Sequence, residues 1–217
     1  DDRLKPGGIV YLSYNAMPGW SALLPLRALM LAHTEASDVD PIEKARRGLA
    51  HLQSLQQRKV GFFEDNPLAS RFVDEMAAQE IEYIAHEFFG PHATPFYFSE
   101  VASDMESVGL RFVGSADTHL NFIDLAAPQE FHDLLRDATS RPAFEATGDF
   151  IRNQRFRKDI YIKEPTILSE EEQQAYLSAV PFGTTCVAAD FNRVAHFNEV
   201  ELAYSADIFE ALIETLS

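Results

Sequence analysis

One cysteine, Cys186, stands in a chain of 217 residues. A disulfide framework and a thiolate metal cluster within the chain are therefore excluded. Bases are scarce as well. Eighteen Lys and Arg against thirty-four Asp and Glu give a net charge of −16. Such a balance repels phosphate backbones, so no nucleic-acid partner is expected. No apolar run approaches the roughly 20 residues of a membrane helix, so no membrane partner is expected either. Serines occur without a nucleophile elbow, which leaves a hydrolase unsupported. A soluble, reducing, cytoplasmic setting is the expectation. The first residues, Asp1-Asp2-Arg3-Leu4, lack an initiator Met and run straight into a strand signal. That start reads as part of a longer protein.

What is present is enough for a core, with 46% apolar and 12% aromatic residues. Leu4-Lys5-Pro6-Gly7-Gly8 ends a helix and turns the chain. Ile9 to Tyr14 is a nearly continuous β-prone run, which suits a strand covered on both faces in a parallel sheet. Residues 20–89 read as helical. Leu23, Leu26, Met30 and His33 share one face, Leu49, Leu52 and Leu55 a second, and Phe72, Met76, Ile81 and Ile84 a third. Asp40-Pro41-Ile42-Glu43 supplies an N-cap, a Pro in the first turn and a capping-box Glu. Asn66-Pro67 reads the same way. Phe98 to Val108 is a helix, capped by Gly109, and Leu110 to Gly114 a short strand. Pro128 to Asn153 is helical with a break around Arg141-Pro142, and Arg157 to Lys163 is a strand.

Residues 164–217 read as a small, acidic α+β unit appended to the rest. They hold ten acids and one base, Arg193. Ser169 caps a helix whose first turn is Glu170-Glu171-Glu172. Two β-prone runs follow, Thr184 to Ala188 and Val194 to Ala203, and then an amphipathic helix with Ile208, Leu212, Ile213 and Leu216. Cys186, in an apolar run, reads as a buried, inert thiol. His86 and His92 are the closest histidine pair, but their spacing and the intervening Gly90-Pro91 do not make a metal site.

Three blocks carry a resemblance. Ser13-Tyr14-Asn15-Ala16-Met17-Pro18-Gly19-Trp20, Pro95-Phe96-Tyr97-Phe98-Ser99-Glu100 and Phe150-Ile151-Arg152-Asn153-Gln154-Arg155-Phe156-Arg157 resemble segments of bacterial class I S-adenosylmethionine (SAM) dependent methyltransferases with a methyltransferase regulatory domain. Protein-lysine methyltransferases are among that family. The resemblance implies a helix-rich α/β fold holding only the last strands of the class I sheet. Residues 1–163 would be the C-terminal part of the methyltransferase-like domain, with helical insertions at 20–95 and 117–155. It also implies SAM in the full-length protein, an upstream SAM-binding domain as partner, and a protein substrate.

The family holds SAM with a Gly-rich loop after the first strand and an acid after the second. All ten glycines here are scattered, no G-x-G occurs, and Gly7-Gly8 precedes a strand. No cofactor is therefore expected in this chain by itself. In open α/β sheets ligands bind beyond the carboxyl ends of strands. That makes Tyr14, Asn15 and Trp20 candidate substrate residues, Asn15 as an acceptor for an amine and the aromatics as walls. The alternative has Asn15 shaping the turn and Trp20 in the core. Arg152 and Arg155, with Arg157 and Lys158, form the densest basic patch. It would hold a carboxylate or an acidic loop, or else be solvated and paired with the acidic tail.

In the family sheet the fifth strand lies between the fourth and the seventh. The strand at Ile9–Tyr14 would then have one bare side, and bare edges recruit other chains. It is expected to be covered, by a second copy in a two-fold homodimer or by a helix from residues 20–89. Two functions stand side by side. One is the substrate-recognition and regulatory portion of a methyltransferase acting on protein amines. The other is a non-catalytic interaction or dimerisation module with a degenerate methyltransferase-like sheet.

Overall fold

A computed structural model describes residues 4–91, 93–181, 183, 186–197 and 200–216. It is a helix-rich α/β protein with small sheets. Strand β1 (Ile9–Asn15) leads into helices α1 (Leu23–Thr34), α2 (Pro41–Gln57), α3 (Gly61–Asp65), α4 (Pro67–Ala77), α5 (Ile81–Phe89) and α6 (Phe98–Ser107). Strand β2 (Leu110–Ser115) is followed by short helices α7 (Ile123–Ala126) and α8 (His132–Arg136) and by α9 (Arg141–Arg152). Then come β3 (Phe156–Lys163), α10 (Glu170–Ala179), β4 (Val194–Phe197), β5 (Val200–Ala203) and α11 (Asp207–Leu216). The chain forms two compact units, one of residues 13–101 and 145–157, the other of residues up to 12, 102–144 and 158–217. Residues 164–217 thus share a unit with β2 and most of β3, and no unit boundary falls at residue 163.

The helical unit owes its core to the faces that the periodicity marks. Leu23, Leu26 and Met30 of α1 pack with Ala45, Leu49 and Leu52 of α2, with Phe72, Val73 and Met76 of α4, and with Ile84 and Phe88 of α5. Asp40 caps α2: its Oδ1 accepts from the amides of Ile42 at 2.9 Å and Glu43 at 3.0 Å. The capping box stays half made, because Glu43 turns to Arg47 at 2.8 Å and Arg46 at 3.5 Å. Asn66 does not cap α4. Its Nδ2 donates to the Phe62 carbonyl instead. The third helical face is also divided, between α4 and α5.

The sheet runs β1-β3-β2, with β3 central. β2 pairs antiparallel with β3, with an irregularity between Phe112 and Gly114. β1 is antiparallel to β3 too. Gly7 donates to the Lys163 carbonyl at one end, and Ala16 donates to the Arg155 carbonyl at the other. Gly7 takes a φ of +77° to make the turn into β1, a conformation that glycine adopts without strain. Two expectations are corrected here. Among the described residues β1 is not a strand of a parallel sheet; it pairs with β3 antiparallel, and a parallel bridge is found past its end, between Ala16 and Phe96. Nor is it covered on both faces, since Ile9 is 62% and Tyr11 55% exposed at the sheet edge.

In the C-terminal stretch Ser169 and Glu172 form a full capping box at the start of α10. β4 and β5 pair as an antiparallel hairpin. The β-prone run at Thr184–Ala188 is not a strand where it is described: Ala188 begins a 3-10 turn, and Thr184 and Thr185 lie outside the described residues. Cys186 is half-buried rather than buried. Among the described residues no helix is long and apolar enough to cross a membrane.

Candidate functional site

The end of β1 and the segment after it are pinned by three backbone hydrogen bonds. Phe96 donates its amide to the Asn15 carbonyl at 2.9 Å, and Met17 donates to the Phe96 carbonyl at 3.0 Å. Gly19 donates to the Gln154 carbonyl at 3.0 Å. Trp20 is then carried into the core at 4% exposure, where it stacks on Phe88 with centroids 5.6 Å apart. Trp20 is therefore both a core residue and, with Asn15, part of a cavity wall.

That cavity measures about 510 Å³. Asn15 and Trp20 form one side, Phe72, Glu75 and Gln79 of α4 another, Tyr83, Glu87 and Phe88 of α5 a third, and Arg155 and Phe156 the last. Asn15 Nδ2 donates to Glu87 Oε1 at 2.7 Å. Arg155 Nη1 donates to Glu75 Oε2 at 2.8 Å, and its guanidinium lies 5.1 Å from the Phe72 ring centre. Burial and the charge of Glu87 push the Tyr83 hydroxyl above its ordinary range, while Arg155 opposes them. Of the five residues expected at a substrate site, Asn15, Trp20 and Arg155 line one cavity. Tyr14 is buried and does not line it. The acids and Tyr83 had no sequence signal, because 72 residues separate Asn15 from Glu87.

Arg152 lies elsewhere. It is buried with Arg157, Glu145 and Asp149. Arg157 bonds Asp149 at 2.6 Å and Glu145 at 2.8 Å, with its guanidinium 4.3 Å from the Phe98 ring centre. Arg152 reaches the same Asp149 oxygen at 3.4 Å. The other Asp149 oxygen, buried, has no hydrogen bond. Burial pushes the Asp149 carboxyl up to about 6, although both arginines pull it down. The reading of this patch as solvated charge paired with the acidic tail is thus corrected: Arg157 is internal and its partners come from α9. Lys158 pairs with Asp117, and Arg155 with Glu75.

Among the described residues no three His, Cys, Asp or Glu side chains converge on a metal position, and His92 lies outside them. His132 is buried, its Nε2 2.9 Å from the Ala127 carbonyl oxygen.

Residues 80–163, from the start of α5 to the end of β3, match the family model described as "Predicted methyltransferase regulatory domain". Over this segment the chain is similar to a methyltransferase regulatory domain. The uncharacterized protein sll1526 of Synechocystis is 28% identical over 215 residues, covering 99% of this chain and 42% of that protein. The uncharacterized protein RP789 of Rickettsia prowazekii is 28% identical over 159 residues, covering 71% of this chain and 28% of that one. The fold is similar to that of PKMT2 from Rickettsia typhi, with a TM-score of 0.59, 21% identity, and coverage of 80% of this chain and 32% of PKMT2. Against PKMT2 in complex with AdoHcy the TM-score is 0.57 and the identity 23%, over 78% of this chain and 32% of that one. The chain spans less than half the length of each of these relatives.

Proposed function

We propose that this chain is the regulatory and substrate-recognition portion of a SAM-dependent methyltransferase that methylates protein amines, lysine side chains above all. One observation carries the reading. Asn15, Trp20 and Arg155, drawn from two of the family-like blocks, line a single cavity just past the carboxyl end of β1. Methyl transfer to an amine is an in-line displacement, so its demands are position and dryness. An amide acceptor beside aromatic walls meets both.

The residues present do not fit SAM itself. The two glycines with positive φ among the described residues, Gly7 and Gly109, each precede a strand rather than open a helix after one. No transfer step is therefore routed through this chain. An upstream SAM-binding domain is the proposed source of the cofactor. The β1-β3-β2 order, with β1 next to the last strand, agrees with the final strands of a class I sheet, and β1 is the proposed junction with the rest of it. The exposed Ile9 and Tyr11 favour a second reading, in which the chain is an interaction or homodimerisation module.

The test is methyl transfer to a lysine-bearing protein by the complete protein and its Asn15→Ala variant. Asn15 is half-buried and off the core, so its truncation separates function from folding. Activity is expected to fall about tenfold or more, the scale of a lost hydrogen bond to a charged group, with an unchanged melting temperature. Activity that falls only in step with melting temperature would make Asn15 structural and refute the reading.

A further inference from the structure

Among the described residues no cation forms an ion pair with Glu87. Its one hydrogen-bond partner among the described residues is the Asn15 amide, at 2.7 Å. A carboxylate only accepts hydrogen bonds, so the Asn15 amide must turn its NH₂ towards Glu87. That leaves the side-chain oxygen Oδ1 of Asn15 and the second Glu87 oxygen as acceptors, on two residues that line the same cavity. An ammonium group has three donors and no acceptor, which is the complement of such a pair.

The remaining charges point the same way. Glu75 and Arg155 compensate each other at 2.8 Å, and Arg155 is further held over Phe72. The cavity lining therefore carries one net negative charge, that of Glu87. Trp20, Tyr83 and Phe88 line the cavity too, and aromatic rings attract cations. Burial first and Glu87 second push the Tyr83 hydroxyl up, with Arg155 opposing them. A carboxylate ligand would instead have to displace Glu75 from Arg155 and face Glu87.

We propose that this cavity binds a primary ammonium side chain, with Glu87 as its counter-charge, and that Glu87 selects a cationic over a neutral or acidic ligand. The inference deepens the methyl-acceptor reading above and rests on it for its biological sense. The binding itself is measurable without methyl transfer.

The chain contains one tryptophan, Trp20, in the cavity wall. Its indole resonance and fluorescence report occupancy. The full chain is titrated with Nα-acetyl-lysine methylamide, the norleucine analogue and the glutamate analogue. The lysine probe is expected to give a saturable change and the other two none. Glu87→Gln keeps the side-chain volume, and is expected to weaken the lysine probe about tenfold or more. Equal response to lysine and norleucine, a response to glutamate, or an unaltered affinity in Glu87→Gln would each overturn the proposal. The wild-type comparison stands even if Glu87→Gln folds poorly. Lysine binding that depends on Glu87 in a complete protein that transfers no methyl group would refute the methyltransferase reading alone. Methyl transfer to lysine without this binding would refute the inference alone.

Discussion

Lowering the pH tests which force governs the buried cluster around Asp149. Two arginines lie within 3.4 Å of one Asp149 oxygen, and by themselves they would hold the carboxyl below its ordinary value. Burial outweighs them and pushes it from 3.8 up to about 6. Asp149 is 2% exposed, and its second oxygen is desolvated without a hydrogen bond in return. A native carboxyl of raised pKa binds its proton before the unfolded chain does. Its contribution to stability is therefore fully present below about pH 4 and is lost as the pH climbs through about 6. The displacement corresponds to about 3 kcal/mol, at about 1.4 kcal/mol for each pH unit. Asp149→Asn removes the titration while leaving the shape. In urea unfolding, the stability of the wild type relative to this variant should fall by about 2 kcal/mol between about pH 4 and pH 7. The ¹³C carboxyl resonance of Asp149 should titrate with a midpoint near 6. A relative stability that rises with pH over that range would mean that the arginines win, and would refute the argument.

Two close approaches give further tests. A methyl group on Gly48 of α2 would sit 2.9 Å from Met30 Cβ of α1, so Gly48→Ala should cost about 1–3 kcal/mol of overpacking. That exceeds the gain of up to about 1 kcal/mol in helix propensity, and a urea midpoint that stays or rises would contradict it. A methyl on Gly19 would lie 2.5 Å from the carbonyl oxygens of Asn153 and Gln154, neither of which can swing away. Gly19→Ala should lower the melting temperature and shift the Trp20 indole resonance, and an unmoved resonance would show that the turn does not position the cavity.

How far the sequence could be read depends on the range of the interactions. The order of helices and strands from β1 to β3 was legible, because periodicity and punctuation are local. So were the caps at Asp40 and Ser169, each a matter of three residues. Asn15 and Trp20 were legible only through their motif. Glu87 was not legible at all, because nothing local links α5 to the end of β1. The buried cluster was misread for a different reason. A run of bases normally marks a wetted face, yet Arg157 points inward. A signal was there in α9, whose Glu145 and Asp149 stand four apart on one face. That helix buries the two acids and leaves Phe150 64% exposed, the reverse of an ordinary amphipathic helix. Acids on a buried face require a buried cation, and Arg157 supplies it.

The apolar character of β1 sets the last prediction. Val10, Leu12 and Tyr14 alternate with Ile9, Tyr11 and Ser13, so one set faces away from the other. Only the first set is sheltered by this chain, and Ile9 and Tyr11 remain 62% and 55% exposed. Large apolar residues on an edge strand are a liability that a soluble protein seldom leaves uncovered. If the proposed upstream domain continues the sheet past β1 and covers this face, the surplus is explained without a homodimer. Tyr11→Lys separates the cases. In this chain alone the substitution removes little packing, and its effect should stay within about 0.5 kcal/mol. In the complete protein the same lysine would be forced against a covered face. Its charge would be unpaired, at a cost of several kcal/mol. Melting temperatures of both forms, with and without the substitution, measure the difference. A small effect in the complete protein, equal to that in the chain, would mean that nothing covers β1. The sheet would then end there, and the place proposed for the SAM-binding domain would be wrong.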